Sequence, residues 1–171
     1  MKHNGPWIIK SSRQVYKNPW IDVQEDQVIR PDGTPGIFAT IQMKHGVSVL
    51  AMDGQGKVYL TEEFRYVLGT KSMEVVSGGV EPQKLPVEAG KRELREELGI
   101  EAEEWIDLGY VNPFTSVVHS PGYLFLARKL RFTAQQREGT EIIRVLKMPF
   151  DKAVELVMES HENAGKRLTP R

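Results

Sequence analysis

Residues 77–100 read SGGVEPQKLPVEAGKRELREELGI, and the fold turns on how this stretch is read. A glycine-rich turn passes through Pro82 and Pro86 into a segment that reads as a short helix stopped by Gly99. At about 100° per residue, with Glu93 at zero, Glu96 falls near 300° and Glu97 near 40°. Val87, Leu94 and Leu98 fall together at roughly 100–140°, on a separate stripe that can bury against a sheet. Glu93, Glu96 and Glu97 stand three and four positions apart, so the spacing predicts that they converge on one side of the helix. Carboxylates that close repel one another unless cations sit among them, and hard oxygen ligands suit magnesium or manganese. Gly78 and Gly79 free the backbone before the helix to approach an ion or a phosphate. An ordinary charged outer face of an amphipathic helix is the competing reading of the same letters.

The stretch resembles the Nudix box of the Nudix hydrolases. That pattern is glycine, five residues, glutamate, seven residues, then Arg-Glu-aliphatic-x-Glu-Glu-x-Gly-aliphatic. Gly78 fits the first glycine, and Arg92, Glu93, Leu94, Glu96, Glu97, Gly99 and Ile100 fit the second half. The first glutamate of the pattern is replaced by Lys84. The resemblance implies metal-binding roles for Glu93, Glu96 and Glu97, an orienting role for Arg92, and a backbone ligand at the carbonyl of Ser77. It implies magnesium, with manganese as an alternative, at two or more ions per site. Lys84 is either a solvent-facing loop residue, with Glu81 or Glu88 supplying the missing charge, or a cation aimed at substrate phosphate.

Composition sets the outer limits. The 171 residues suit one domain with a substantial core. Lys plus Arg equals Asp plus Glu at 23 each, a balance that gives no support to a nucleic-acid or anionic-membrane partner. The absence of cysteine rules out a disulfide framework and thiolate chemistry. Neither a signal-peptide core nor an apolar run of about 18 residues is present, so the expected address is the cytoplasm.

Upstream of the box, WIIKSSRQVY and WIDVQEDQVIR flank Asn18-Pro19 and read as short strands. Pro31-Asp32-Gly33 reads as a turn, followed by a strand from Ile37 to Met43. Asp53-Gly54-Gln55-Gly56 separates Val47–Met52 from Lys57–Leu60 as a hairpin turn. Phe64-Arg65, then Glu74, then Gly78 and Val80-Glu81-Pro82 resemble the approach to the box in ADP-ribose pyrophosphatases and other nucleoside-diphosphate-sugar hydrolases. By that resemblance Arg65, whose planar guanidinium suits a diphosphate, becomes a substrate-binding candidate, and Glu74 joins the metal or substrate shell. Arg30 is a further phosphate-binding candidate. The same branch implies a homodimer formed through the N-terminal sheet.

Downstream, Glu101–Glu104 reads as an exposed acidic turn, Trp105–Tyr110 as a strand and Tyr123–Ala127 as a buried strand. Between them lies VNPFTSVVHSPG, a loop of the kind that holds binding residues. Many relatives of the ADP-ribose type that this chain resembles carry an acidic general base in this loop. Here His119 is the nearest polar candidate, since an imidazole can act as a base near neutral pH, and it can instead hydrogen-bond a phosphate or ribose. In other branches of the family a late loop acid completes the metal site, and by that resemblance Glu138, in a polar connection, is the candidate here. Ile142–Met148 reads as the last strand. Phe150, Val154, Val157 and Met158 predict a core-facing stripe on the last helix.

The expected fold is α/β: a Nudix fold with a mixed sheet between helices and an added N-terminal antiparallel sheet. Residues 1–171 form one domain, with an N-terminal β-subdomain to about 37, a core at about 38–160 and a polar tail at 161–171. The expected reaction is metal-dependent hydrolysis of the diphosphate of ADP-ribose or a related nucleoside diphosphate sugar. A Nudix hydrolase of dinucleoside polyphosphates or noncanonical triphosphates, and a catalytically weakened nucleotide-sugar-binding module, are the alternatives.

Overall fold

The computed structural model describes residues 2–135 and 142–167, with side chains to residue 159. The N-terminal sheet takes the order β1 (Lys2–Asn4), β2 (Trp7–Lys17), β3 (Ile21–Ile29), β4 (Pro35–Met43) and β10 (Val118–His119). Its first four strands are antiparallel, whereas β10 joins β4 in parallel, Val118 opposite Ile41 and His119 opposite Gln42. The seam between the sheets therefore follows Met43, not residue 37, because β4 is paired with β3 along its whole length.

The second sheet has the order β12 (Arg144–Pro149), β6 (Lys57–Arg65), β5 (Gly46–Met52), β11 (Gly122–Phe132) and β9 (Ile100–Val111). Two short strands attach to it, β7 (Thr70–Glu74) on β6 and β8 (Val76–Gly79) on β5. The parallel pairing of β11 with β5 makes this sheet mixed. Helix α1 (Pro86–Leu98) lies against it, and the described part of α2 (Phe150–Arg167) touches β12 and β6.

Helix α1 forms where the pattern places it. Pro86 supplies a pre-set first turn, and Gly99, at φ 64°, closes the helix with its amide on the carbonyls of Arg95 and Leu94. Leu94 and Leu98 are buried among Val47, Val49, Val76 and Ile100, and Val87 packs at the margin. Gly90 costs helix stability of about 1 kcal/mol relative to alanine. A Cβ there would stand 3.0 Å from Val49 Cγ2 and 3.3 Å from Val47 Cγ2, so glycine lets α1 approach β5 closely.

Three expectations change. Glu101–Glu104 is not a turn but part of β9, paired with β11 through Glu101–Arg131 and Glu104–Arg128; Ala102 packs against the core between acids that pair with cations across the ladder. The α2 stripe is not core: Phe150, Val154, Val157 and Met158 are 41–63% exposed, because the helix meets the sheet only at its margin. Finally, α2 continues to Arg167, past the point where a polar tail was expected, since helix propagation needs favourable residues rather than an apolar stripe.

The Asp53–Gly56 turn carries a polar lock. Asp53 accepts from the amides of Gln55 and Lys57 and faces Lys147 at 2.9 Å. The Lys147 hydrogen bond, with the two amides, holds its carboxyl well below the usual range. A depressed carboxylate pKa contributes stability above the ordinary value of 3.8, and that contribution is lost as pH falls toward the folded value. Asp53→Asn should therefore lower the melting temperature at neutral pH and narrow the gap to wild type below about pH 4. A gap that is constant from pH 7 to pH 3 would contradict this.

No described helix is long and apolar enough to cross a membrane.

Candidate active site

The end of β8 and the helix after it bring the glycine turn and the carboxylates together. Gly78 is extended, opposite Val47 of β5, and its lack of a side chain has a local cause. A Cβ on Gly78 would fall 2.0 Å from Glu93 Oε1 and 2.1 Å from its carboxyl carbon. The Glu93 carboxylate thus rests directly on the Gly78 backbone. Arg92 fixes it there, donating to Glu93 Oε1 at 2.6 Å and to the Gly79 carbonyl at 3.2 Å.

Glu97 is the buried acid of α1, 8% exposed, although carboxylates are seldom buried without partners. Its charge acts on Arg65, which stands at the end of β6. Arg65 donates to both oxygens of Glu74, at 3.1 and 2.7 Å, and pairs with Glu63 at 2.9 Å. The Glu74 hydrogen bond, followed by the charges of Glu74, Glu63 and Glu97, raises the Arg65 pKa above its ordinary value. The same hydrogen bond pushes Glu74 below the usual glutamate range.

Arg65 is therefore committed to acids of its own chain. It reaches a diphosphate only by sharing its remaining donor directions or by exchanging Glu63 or Glu74.

Glu93, Glu96 and Glu97 supply the hard oxygen donors that a magnesium-sized cation takes. In this arrangement, however, no three acidic or imidazole side chains among the described residues are gathered into a ready metal-binding group. Arg92 draws Glu93 onto the glycine turn, and Glu97 lies under the influence of Arg65. The donor chemistry fits a divalent cation; among the described residues the ligand cluster is not preformed. Ser77 lies in β8 opposite Ser48, and their hydroxyls are 3.1 Å apart.

The other expected residues separate into near and far. Lys84 follows a turn closed by its amide on the Glu81 carbonyl, with Gln83 at φ 65°. Lys44, which the sequence reading passed over, runs its side chain above Gly79, with Cδ 3.7 Å from a Cβ built there. The pairing of Gly46 with Gly79 is what brings Lys44 to the box. His119 sits at the seam, its Nδ1 2.9 Å from Gln42 Oε1 and its ring 5.9 Å from that of His45. Neither this hydrogen bond nor this ring contact reaches α1.

Arg30 does not join this site. Its side chain lies over Gly36 in the β3–β4 hairpin, at the opposite end of β4 from Met43. At about 3.3 Å per residue, β4 spans roughly 26 Å between those ends. Glu138 lies outside the described residues.

Comparison with known proteins follows the same division of the chain. Residues 3–41 match the nucleoside diphosphate sugar hydrolase N-terminal domain, and residues 43–171 match the NUDIX domain. The chain is 28% identical over 160 residues to an ADP-ribose pyrophosphatase of Bacillus subtilis (strain 168), covering 89% of this chain and 83% of the relative. It is 25% identical over 158 residues to a methanol dehydrogenase activator of Bacillus methanolicus, covering 86% and 81%. The fold is shared with a crystal structure of ADP compounds hydrolase, at a TM-score of 0.79 and 17% identity over 92% of this chain and 86% of that one.

Proposed function

Since the chain belongs to the Nudix family by its match over residues 43–171, we propose that it hydrolyses the diphosphate of a nucleoside diphosphate sugar, ADP-ribose or a close analogue. Water attacks one phosphorus and the bridging P–O bond breaks, giving a nucleoside monophosphate and a sugar phosphate. The observation that carries this reading is the join of a nucleoside-diphosphate-sugar-hydrolase N-terminal domain to a NUDIX domain whose helix holds Glu93 on Gly78.

Nudix enzymes use divalent metals, and magnesium is assigned here to Glu93, Glu96 and Glu97, with the Ser77 carbonyl as a backbone ligand. When bound, the metal supplies positive charge to the diphosphate oxygens and lowers the pKa of a coordinated water. Arg92 is a positioning residue that keeps the Glu93 carboxylate on the glycine turn. Arg65, supported by Glu74 and Glu63, offsets charge that develops on the diphosphate.

Chelating divalent metal should abolish turnover of such a sugar nucleotide, and added magnesium should restore it. Undiminished turnover in chelator would remove the metal from the reading.

A second copy of the chain is assigned to the N-terminal sheet. Support comes from the exposure there of Val15, Tyr16, Trp20 and Ile37, with Trp20 70% exposed. It also gives Arg30 a route to substrate, in the partner's site, that its distance along β4 denies it within one chain. Sedimentation at twice the chain mass is expected, and a monomer at assay concentration would contradict it.

A further inference from the structure

Beside the carboxylate helix lies a cleft, about 320 Å³ in volume, walled by Lys44, His45, the Glu81–Lys84 turn and Tyr123. It opens one residue from the glycine that carries Glu93, because Lys44 passes over Gly79 and the Gly79 carbonyl is bonded to Arg92. Two lysines line it, Lys44 and Lys84. Lys84 makes no ion pair or side-chain hydrogen bond among the described residues. Lys44 pairs with Glu81 at 3.0 Å, but both side chains are about half exposed, and such a surface pair yields readily to a stronger anion.

Glu81 is the acid that lines the cleft; Glu88 nearby is already paired with Lys91 at 2.8 Å. Among the described residues the local balance is thus two lysines against one glutamate. Gln83 holds the left-handed conformation that favours glycine, φ 65°, in the turn that presents Lys84. The rings of His45 and Tyr123, 6.1 Å apart, add a wall suited to a sugar or ribose ring.

Resting on the hydrolase reading above, we propose that this cleft receives a second anionic group of the substrate, a carboxylate or phosphate lying beyond the diphosphate. The enzyme then prefers a nucleoside diphosphate sugar with that extra charge to its neutral counterpart. Lys84, where the box pattern has glutamate, becomes the specificity-determining residue, because a carboxylate there would repel the group that an ammonium attracts.

Two matched pairs separate the sources of the charge. UDP-glucuronate against UDP-glucose places it on the sugar; 2′-phospho-ADP-ribose against ADP-ribose places it on the nucleoside side. Affinities measured by calorimetry in chelator, where metal-dependent hydrolysis is silent, should favour the charged member of at least one pair by about tenfold or more, the scale of one charge-assisted hydrogen bond. That ratio should fall toward one in Lys84→Met and in Lys44→Met, with unchanged melting temperatures, and persist in Lys84→Arg. Ratios near one in both pairs, or a preference that survives the double Lys44→Met, Lys84→Met substitution, overturn the assignment. Adding magnesium to the neutral members tests the hydrolase reading separately: absent turnover fails that reading, whereas turnover with equal affinities fails only the cleft.

Discussion

Glu97→Gln is expected to lower kcat/KM by about 10²–10³-fold, the scale seen when one charged or hydrogen-bonding group that stabilises a transition state is removed. The substitution is nearly isosteric, so the packing of α1 on β5 and β9 stays intact and the loss is one of charge. Glu97 is a buried carboxylate on this helix, and its charge acts on Arg65. Losing it removes a hard donor from the assigned metal site and loosens the electrostatic hold on that arginine. The signature is a rise in the magnesium concentration required for half-maximal rate, with little change in melting temperature. An unchanged magnesium requirement with wild-type turnover would exclude Glu97 from the metal shell.

Gly78→Ala should produce a loss of about 10²-fold by a different route, the order expected when a catalytic group is misplaced by about 1 Å. The new methyl group would occupy the space of the Glu93 carboxylate, 2.0 Å from its Oε1. The flexible acid gives way rather than the backbone, so Glu93 leaves the position in which Arg92 holds it. Stability should change little. Gly54→Ala is the comparison, because a Cβ in that hairpin turn meets nothing within 4 Å. Wild-type rates in Gly78→Ala, with the fold intact, would show that the seat of Glu93 does not matter to the chemistry.

The parts of the fold legible in the sequence are those in which a local pattern agrees with the tertiary environment. The Pro86 start, the Leu94 and Leu98 stripe and the Gly99 stop all point to one helix, and the structure buries that stripe as the period requires. Asp53–Gly56 is similarly legible, because turn residues separate two alternating runs.

Elsewhere the decisive partners are distant. Glu101–Glu104 looked like a turn because four polar or small residues in a row carry no strand signal; the strand is set by its ladder with β11, where Arg128 and Arg131 stand opposite Glu104 and Glu101. The α2 stripe has helical spacing but meets no described core, and spacing alone does not say what faces it.

The candidate site divides in the same way. Glu93, Glu97 and Arg92 were named by a motif whose spacing the helix preserves. Lys44 and Glu63 were missed, since they reach the site through the β5–β8 and β6–β7 pairings rather than through any local signature. Arg30 was named as a basic residue of the N-terminal region, and the length of β4 carries it away from the same chain's box helix.

The most direct test of the account is the identity of the products. The protein is incubated with magnesium and equal concentrations of ADP-ribose and ATP, and everything released is identified by mass. The account predicts AMP and ribose 5-phosphate, with ATP consumed far more slowly. Preferential conversion of ATP to AMP and pyrophosphate would contradict it.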